Sequence, residues 1–221
     1  MQKHLDRELQ HLKQHLILLS TLVEDNFSHA IKAFREMDTL ATETVISRDQ
    51  DIDKMEIKIE EECLKLLALH QPVARDLRFI VTALKINNDL ERIGDLAVNI
   101  AKCANFLSQM QKIDTHFHFS TIIEKTQTML KKSLDAWVNL DTKLAYEICA
   151  MDDEVDELKR QQEKAITQRI QEFPAETELL LRFLSVSRHL ERIADHTTNI
   201  AEDVIYSVDG DIIRHHNTPA Q

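Results

Sequence analysis

The chain has 221 residues, 43% of them apolar and 29% charged, enough to build a real core in one large domain or two small ones. Its formal net charge of −11 repels phosphate backbones and argues against a nucleic-acid ligand. With only two Gly and three Pro, it lacks the turn residues that a β-sheet protein of this size needs, so long helices are the default.

The first predicted helix starts at Leu5, with its apolar stripe running through Leu9, Leu12, Leu16, Leu19, Val23, Phe27, Ala30 and Phe34 to Met37. Asp38 is placed to cap the second helix, where Val45, Ile52, Ile59 and Leu66 recur at every seventh residue until HisGlnPro at 70–72. Pro72 is expected to open the third, which carries Ile86, Leu90, Ile93, Ala97, Ile100, Ala104 and Leu107. The pattern dissolves in SQMQKIDTHFHFS at 108–120.

Beyond that linker, Thr121 and Glu124 form a capping-box pattern ahead of a fourth helix with Ile123, Leu130, Leu134 and Trp137. Asp141 marks the next junction, and the fifth helix aligns Leu144, Ile148, Met151, Val155 and Leu158. Pro174 mirrors Pro72. The sixth helix aligns Val186, Leu190, Ile193, Thr197, Ile200 and Val204, with Gly210 as its terminator and a tail, DIIRHHNTPAQ, expected to fray.

The third and sixth helices share a word. LERIGDLAVNIAK at 90–102 and LERIADHTTNIAE at 190–202 agree at eight of thirteen positions, including Glu91/Glu191, Arg92/Arg192, Asp95/Asp195 and Asn99/Asn199. In the second and fifth helices, Asp49 and Asp53 correspond to Asp152 and Asp156 at an offset of 103. The fold expected is all-α: two tandem three-helix bundles related by internal duplication, residues 1–110 and 111–221.

The acids therefore fall into four i, i+4 pairs: Asp49/Asp53, Glu91/Asp95, Asp152/Asp156 and Glu191/Asp195. That spacing puts both carboxylates on one helix face, where they repel unless a cation lies between them. Chance alone gives roughly six such pairs in so acidic a chain, and a solvated acidic face is the competing explanation. Each pair borders its apolar stripe, however, so if the second and third helices are neighbours, four carboxylates converge as hard oxygen ligands for iron, manganese, magnesium or calcium. Arg92 and Arg192 can equally neutralise them as salt bridges. Asn99 and Asn199 are expected to hydrogen-bond across the bundle seam rather than ligate a metal, and Gly94 to permit a close approach that Ala194 in the second half does without.

Other signals are weaker. His11 and His15 share a face of the first helix and read as solvated, since the single ExxH formed by Glu8 and His11 has no second copy to build a ferritin-like di-iron centre. No GxSxG, P-loop or HExxH occurs, so a catalytic signature is lacking. Cys63, Cys103 and Cys149 are odd in number and widely spaced, against a disulfide framework or thiolate zinc site. The amphipathic, charged start is no export signal, and no window approaches the run of about 18 apolar residues a membrane span needs; a cytoplasmic protein is expected.

Several passages resemble the PhoU family of phosphate regulators: EECLKLLALHQPVARDLRF at 61–79, DLRFIVTALKINNDLERIGDLAVNIAK at 76–102 and RHLERIADHTTNIAEDVIY at 188–206. The resemblance spans nearly the whole chain and includes both (Glu/Asp)xxxAsp motifs of each repeat. It implies two tandem three-helix bundles, and that Asp49, Asp53, Glu91, Asp95, Asp152, Asp156, Glu191 and Asp195 match motifs able to hold multinuclear metal clusters, with divalent or trivalent ions, iron among them. It further implies a non-enzymatic negative regulator, a homodimer that couples a phosphate ABC transporter, through its ATPase subunit, to a sensor histidine kinase. The departures are Ala194 in place of the usual Gly, His189 at the position equivalent to Asp89, and a short run between Pro174 and Glu191. A carboxylate-bridged metal enzyme and a regulator of a different transporter are the alternatives.

Overall fold

The computed structural model describes residues 2–110, 117 and 119–213. Among them are six long helices and no strand: α1 (Gln2–Glu36), α2 (Thr39–His70), α3 (Ala74–Ser108), α4 (Phe119–Asn139), α5 (Thr142–Glu172) and α6 (Thr177–Asp209), with a 3₁₀ turn at Pro174–Glu176 before α6. The expected frayed tail lies largely outside the described residues. No helix is long and apolar enough to cross a membrane.

The heptad positions of the sequence are the core. Leu12, Leu16, Leu19, Val23, Val45, Ile52, Ile59, Ile86, Leu90 and Ile93 are fully buried between α1, α2 and α3, and Ile123, Trp137, Ile148, Val155, Val186, Leu190, Ile193, Ile200 and Val204 do the same for α4, α5 and α6. Burying each such side chain is worth about 1.5–3 kcal/mol, which is why one apolar stripe per helix suffices to assemble the bundles.

The first turn of each bundle repeats in detail. Asp38 caps α2 by accepting from the Leu40 and Ala41 amides, and Asp141 caps α5 by accepting from the Leu144 amide. The residue before each cap, Met37 or Leu140, takes a left-handed conformation (φ 53° and 52°) while the cap amide donates back to Ala33 O or Ala136 O at 3.1 and 2.9 Å. Gly usually fills such a position. Here both side chains pack on the core, and that contact offsets the backbone strain.

Two expected boundaries move. The third helix begins at Ala74 rather than Pro72, because Gln71 is left-handed and Val73 extended. Thr121 and Glu124 form no cap, since α4 already starts at Phe119. The signal missed there is aromatic: Phe117 and Phe119 join Phe34 and Phe183 in a cluster with ring centroids 5.2–6.1 Å apart, which anchors the chain as it enters the second bundle. The Phe117 carbonyl also accepts from Gln162, a buried polar residue on the α5 core stripe whose Oε1 accepts from Ser187.

The two halves meet side by side along α3 and α6. Arg78 reaches Ser207, Thr82 and Lys85 reach Asp203, Asp89 reaches His196, and Arg182 lies over the Phe106 ring, so the two helices run antiparallel. The duplicated halves thus pair about an approximate two-fold axis near Gly94 and Ala194. Asn199 donates to Asp89 at 3.4 Å, a hydrogen bond between the two halves rather than across the seam of its own bundle.

Candidate metal-binding faces

α2 packs on α3, and α5 on α6, so each half brings its two acidic pairs to one helix junction. In the first half Asp49 lies over the middle of α3. Its Oδ1 is buried without a hydrogen-bond partner, 3.1 Å from where a Cβ on Gly94 would stand. Gly94 is therefore the notch that admits this carboxylate; Ile52, at 3.3 Å from the same point, fills the rest.

Burial, followed by the charges of Asp53, Asp95 and Glu91, pushes the Asp49 carboxyl up to about 6, with Lys102 pulling the other way. Glu91 is raised by burial and by Asp95, against Arg92, with Glu56 and Asp53 adding to the rise. Glu56 is itself raised by burial, Glu60 and Asp53. This fifth acid forms its own i, i+4 pair with Glu60 but has no acidic counterpart in the second half, so the search for duplicated pairs passed over it; it lies three residues beyond Asp53 and seven beyond Asp49, on the same stripe of α2. Arg92 stands at the rim, 3.5 Å from Glu91 and 3.7 Å from Asp95, and is more than half exposed, so it screens the cluster only weakly.

In the second half the acids draw closer: carboxylate oxygens of Asp156, Glu191 and Asp195 lie within 4.8 Å of one another. Asp195 is pushed up to about 6 by partial shielding of its carboxyl and by Glu191, Asp152 and Asp156, although the residue as a whole is exposed. Asp152 is raised by burial and Asp156, while the Thr198 hydroxyl works to lower it. A cation already reaches this group, though not the expected Arg192. Lys159 of α5 approaches Glu191 at 3.7 Å and Glu163 at 3.5 Å.

Lys159 occupies the position equivalent to Glu56 at the offset of 103. The duplication has thus exchanged an acid for a base, so the first junction carries a fifth carboxylate where the second carries its own counter-ion. Both present hard oxygen donors whose carboxyls are raised by burial and then by mutual repulsion, and a multivalent cation relieves that repulsion directly. The orphaned Asp49 oxygen and the three converging oxygens of the second half fit such an ion.

The histidines divide. His11 is exposed as expected, whereas His15 is half-buried with Nδ1 2.6 Å from Glu62 Oε2 on α2. The three cysteines are free, Cys63 and Cys103 buried and Cys149 partly so, and burial pushes the Cys63 and Cys149 thiols up to about 12 and 11.

A helical, internally duplicated protein with an acidic helix junction in each half is the class that fold and site define. The PhoU domain description matches the chain twice, at residues 16–104 and 119–204, once per bundle. The chain is 34% identical to phosphate-specific transport system accessory protein PhoU homolog 1 of Thermotoga maritima, over 92% of this chain and 88% of the relative. It is 36% identical to the PhoU homolog of Clostridium acetobutylicum, over 94% and 95%. Its fold superposes on the crystal structure of PhoU from Pseudomonas aeruginosa with TM-score 0.90 at 34% identity, covering 93% of this chain and 99% of that one. The phosphate transport system regulatory protein PhoU from Streptococcus pneumoniae gives 0.85 at 30%, covering 94% and 98%. The chain belongs to the PhoU family.

Proposed function

We propose that this protein is a cytoplasmic, non-catalytic regulator that restrains phosphate uptake and the phosphate-starvation response, coupling a phosphate ABC transporter to a sensor histidine kinase. Family membership supports the phosphate role, since the relatives are named accessory or regulatory proteins of phosphate transport. The single observation that carries the mechanism is the pair of acidic junctions in which Asp49 and Asp195 are held near 6 by burial and like charge.

Asp49, Asp53, Glu91 and Asp95 would hold metal ions in the first half, and Asp152, Asp156, Glu191 and Asp195 in the second, all-oxygen ligation that suits iron, manganese, magnesium or calcium. The bound ions supply positive charge that lets the four carboxylates of each junction stay ionised side by side. The surrounding acidic surface then docks basic patches on the transporter ATPase subunit and on the kinase, as a homodimer with two such surfaces per chain. Charge complementarity governs encounter and partner choice, so docking weakens with salt.

The test is a deletion strain in phosphate-rich medium. Loss of the protein should derepress starvation genes and release phosphate uptake, and a pull-down from native lysate should recover a transporter subunit or a histidine kinase. Wild-type uptake and reporter expression, with neither partner recovered, would show the regulatory reading to be wrong.

A further inference from the structure

At the open end of the first bundle, far from the acidic junctions, the start of α1 meets the end of α2. His4 and Glu8 lie one turn apart on α1, and His70 is the last residue of α2. His70 Nε2 is 2.6 Å from Glu8 Oε2, and His4 Nδ1 is 3.5 Å from the same oxygen. One ligand atom from each of the three side chains falls within a 4.8 Å group. The imidazole rings face each other at 5.9 Å and 32°. His70 and Glu8 are shielded, with side chains 13% and 21% exposed, while His4 at 58% opens to solvent.

From this geometry we infer that His4, Glu8 and His70 form a Zn²⁺ site that staples the first turns of α1 to the last turn of α2. The donor set decides the ion. Two imidazoles and one carboxylate suit zinc and its neighbours, whereas the junction acids are all oxygen and suit harder ions. Three protein ligands leave a fourth tetrahedral position for water on the His4 side, where the site is open.

The distances are close to what the ion requires. With Zn–N and Zn–O bonds of about 2.0–2.2 Å, ligand atoms in a tetrahedral site stand about 3.3 Å apart. The His4–Glu8 separation of 3.5 Å already meets this, the 2.6 Å His70–Glu8 hydrogen bond opens as the metal replaces its proton, and the two imidazole nitrogens lie within 4.8 Å of each other. His4 and Glu8 reach it by the i, i+4 spacing that places both on one face of α1. Along α2, His70 stands seventeen residues beyond Asp53, a rise of about 25 Å, so this site and the first acidic junction are separate.

The probe is Co²⁺, followed by displacement with Zn²⁺, on the 221-residue chain freed of any purification tag and stripped with a chelator. Wild type should take up one equivalent of cobalt with the intense visible bands of four-coordinate nitrogen and oxygen ligation, and zinc should bleach them. His4→Gln and His70→Gln should each weaken this binding by about tenfold or more, while Asp95→Ala with Asp195→Ala leaves it intact. Circular dichroism confirms that each variant is folded; His4 is exposed, so its replacement removes a ligand without opening the core. If the double variant His4→Gln with His70→Gln keeps the wild-type cobalt spectrum and zinc stoichiometry, the assignment is overturned. Loss of the four-coordinate signal only in the acidic-junction variant overturns it equally, and neither result bears on the regulatory role proposed above.

Discussion

Replacing Asp49 with Asn removes one charge from the most crowded acidic junction without changing the side chain's size. The folded protein holds the Asp49 proton up to about 6, against an ordinary 3.8 in the unfolded chain. The folded state therefore binds the proton more tightly, and stability falls as pH rises through that window, with the whole penalty present above it. At about 1.36 kcal/mol per pKa unit, the shift corresponds to about 3 kcal/mol. Asp49 is half-buried, so solvent screening cuts this to about 1–2 kcal/mol. In urea titrations of metal-free protein at pH 8, Asp49→Asn should thus be more stable than wild type by that amount. The difference should shrink towards zero as the pH approaches 4, where wild type is protonated too. Saturating Mn²⁺ or Fe²⁺ should reverse the order at pH 7.5, because the ion stabilises only the chain that keeps its carboxylate. A variant less stable than wild type at pH 8, or a difference independent of pH, refutes the reading that burial and neighbouring charge destabilise the ionised Asp49.

Gly94→Ala sets helix propensity against crowding: the Ala gains about 1 kcal/mol in the helix, but its Cβ meets Asp49 Oδ1 at 3.1 Å and Ile52 Cδ1 at 3.3 Å. Denaturation should show a net gain below about 1 kcal/mol, while metal titration shows weaker binding in the first half; unchanged first-half affinity would mean that the notch has no role in placing Asp49. Lys159→Glu restores the acid that its counterpart Glu56 supplies, so it should cost metal-free stability about 0.5–1 kcal/mol and strengthen Mn²⁺ binding in an Asp95→Ala background, measured by calorimetry. Asp89→Ala leaves His196 and Asn199 without their acceptor across the α3–α6 seam and should cost about 1–3 kcal/mol by chemical denaturation. A neutral result there would assign the seam's stability to its apolar contacts alone.

The sequence carried the fold through periodicity and caps, because those signals are local. Ile52 and Ile59 sit where the heptad put them, Asp38, Asp141 and Gly210 cap as residue type demands, and the duplicated words located both acidic junctions. What it hid was set by contacts between distant residues. Gln162 occupies a core position because Phe117 and Ser187 satisfy it, and no local pattern distinguishes that from a surface Gln. Thr121 offered a cap that the Phe34–Phe119–Phe183 cluster made unnecessary by starting α4 earlier. His15 and Glu8 face α2 residues more than forty positions away, so their partners Glu62 and His70 appear only once α1 and α2 are laid together. The Glu56/Lys159 exchange was legible in principle, since it needs only the offset of 103, but a search for acidic pairs present in both halves passes over it.

If both acidic junctions are cation sites, each half holds its own ions through its own carboxylates. Metal analysis of protein reconstituted with iron or manganese and then freed of excess ion tests this most directly, comparing the parent, Asp95→Ala, Asp195→Ala and the double variant, all in a His4→Gln, His70→Gln background so that the α1–α2 site contributes nothing. More than one ion per chain in the parent, a stepwise fall in each single variant and none retained in the double variant is the predicted result. Equal metal content in all four proteins would contradict the account and leave the carboxylates as a solvated acidic face.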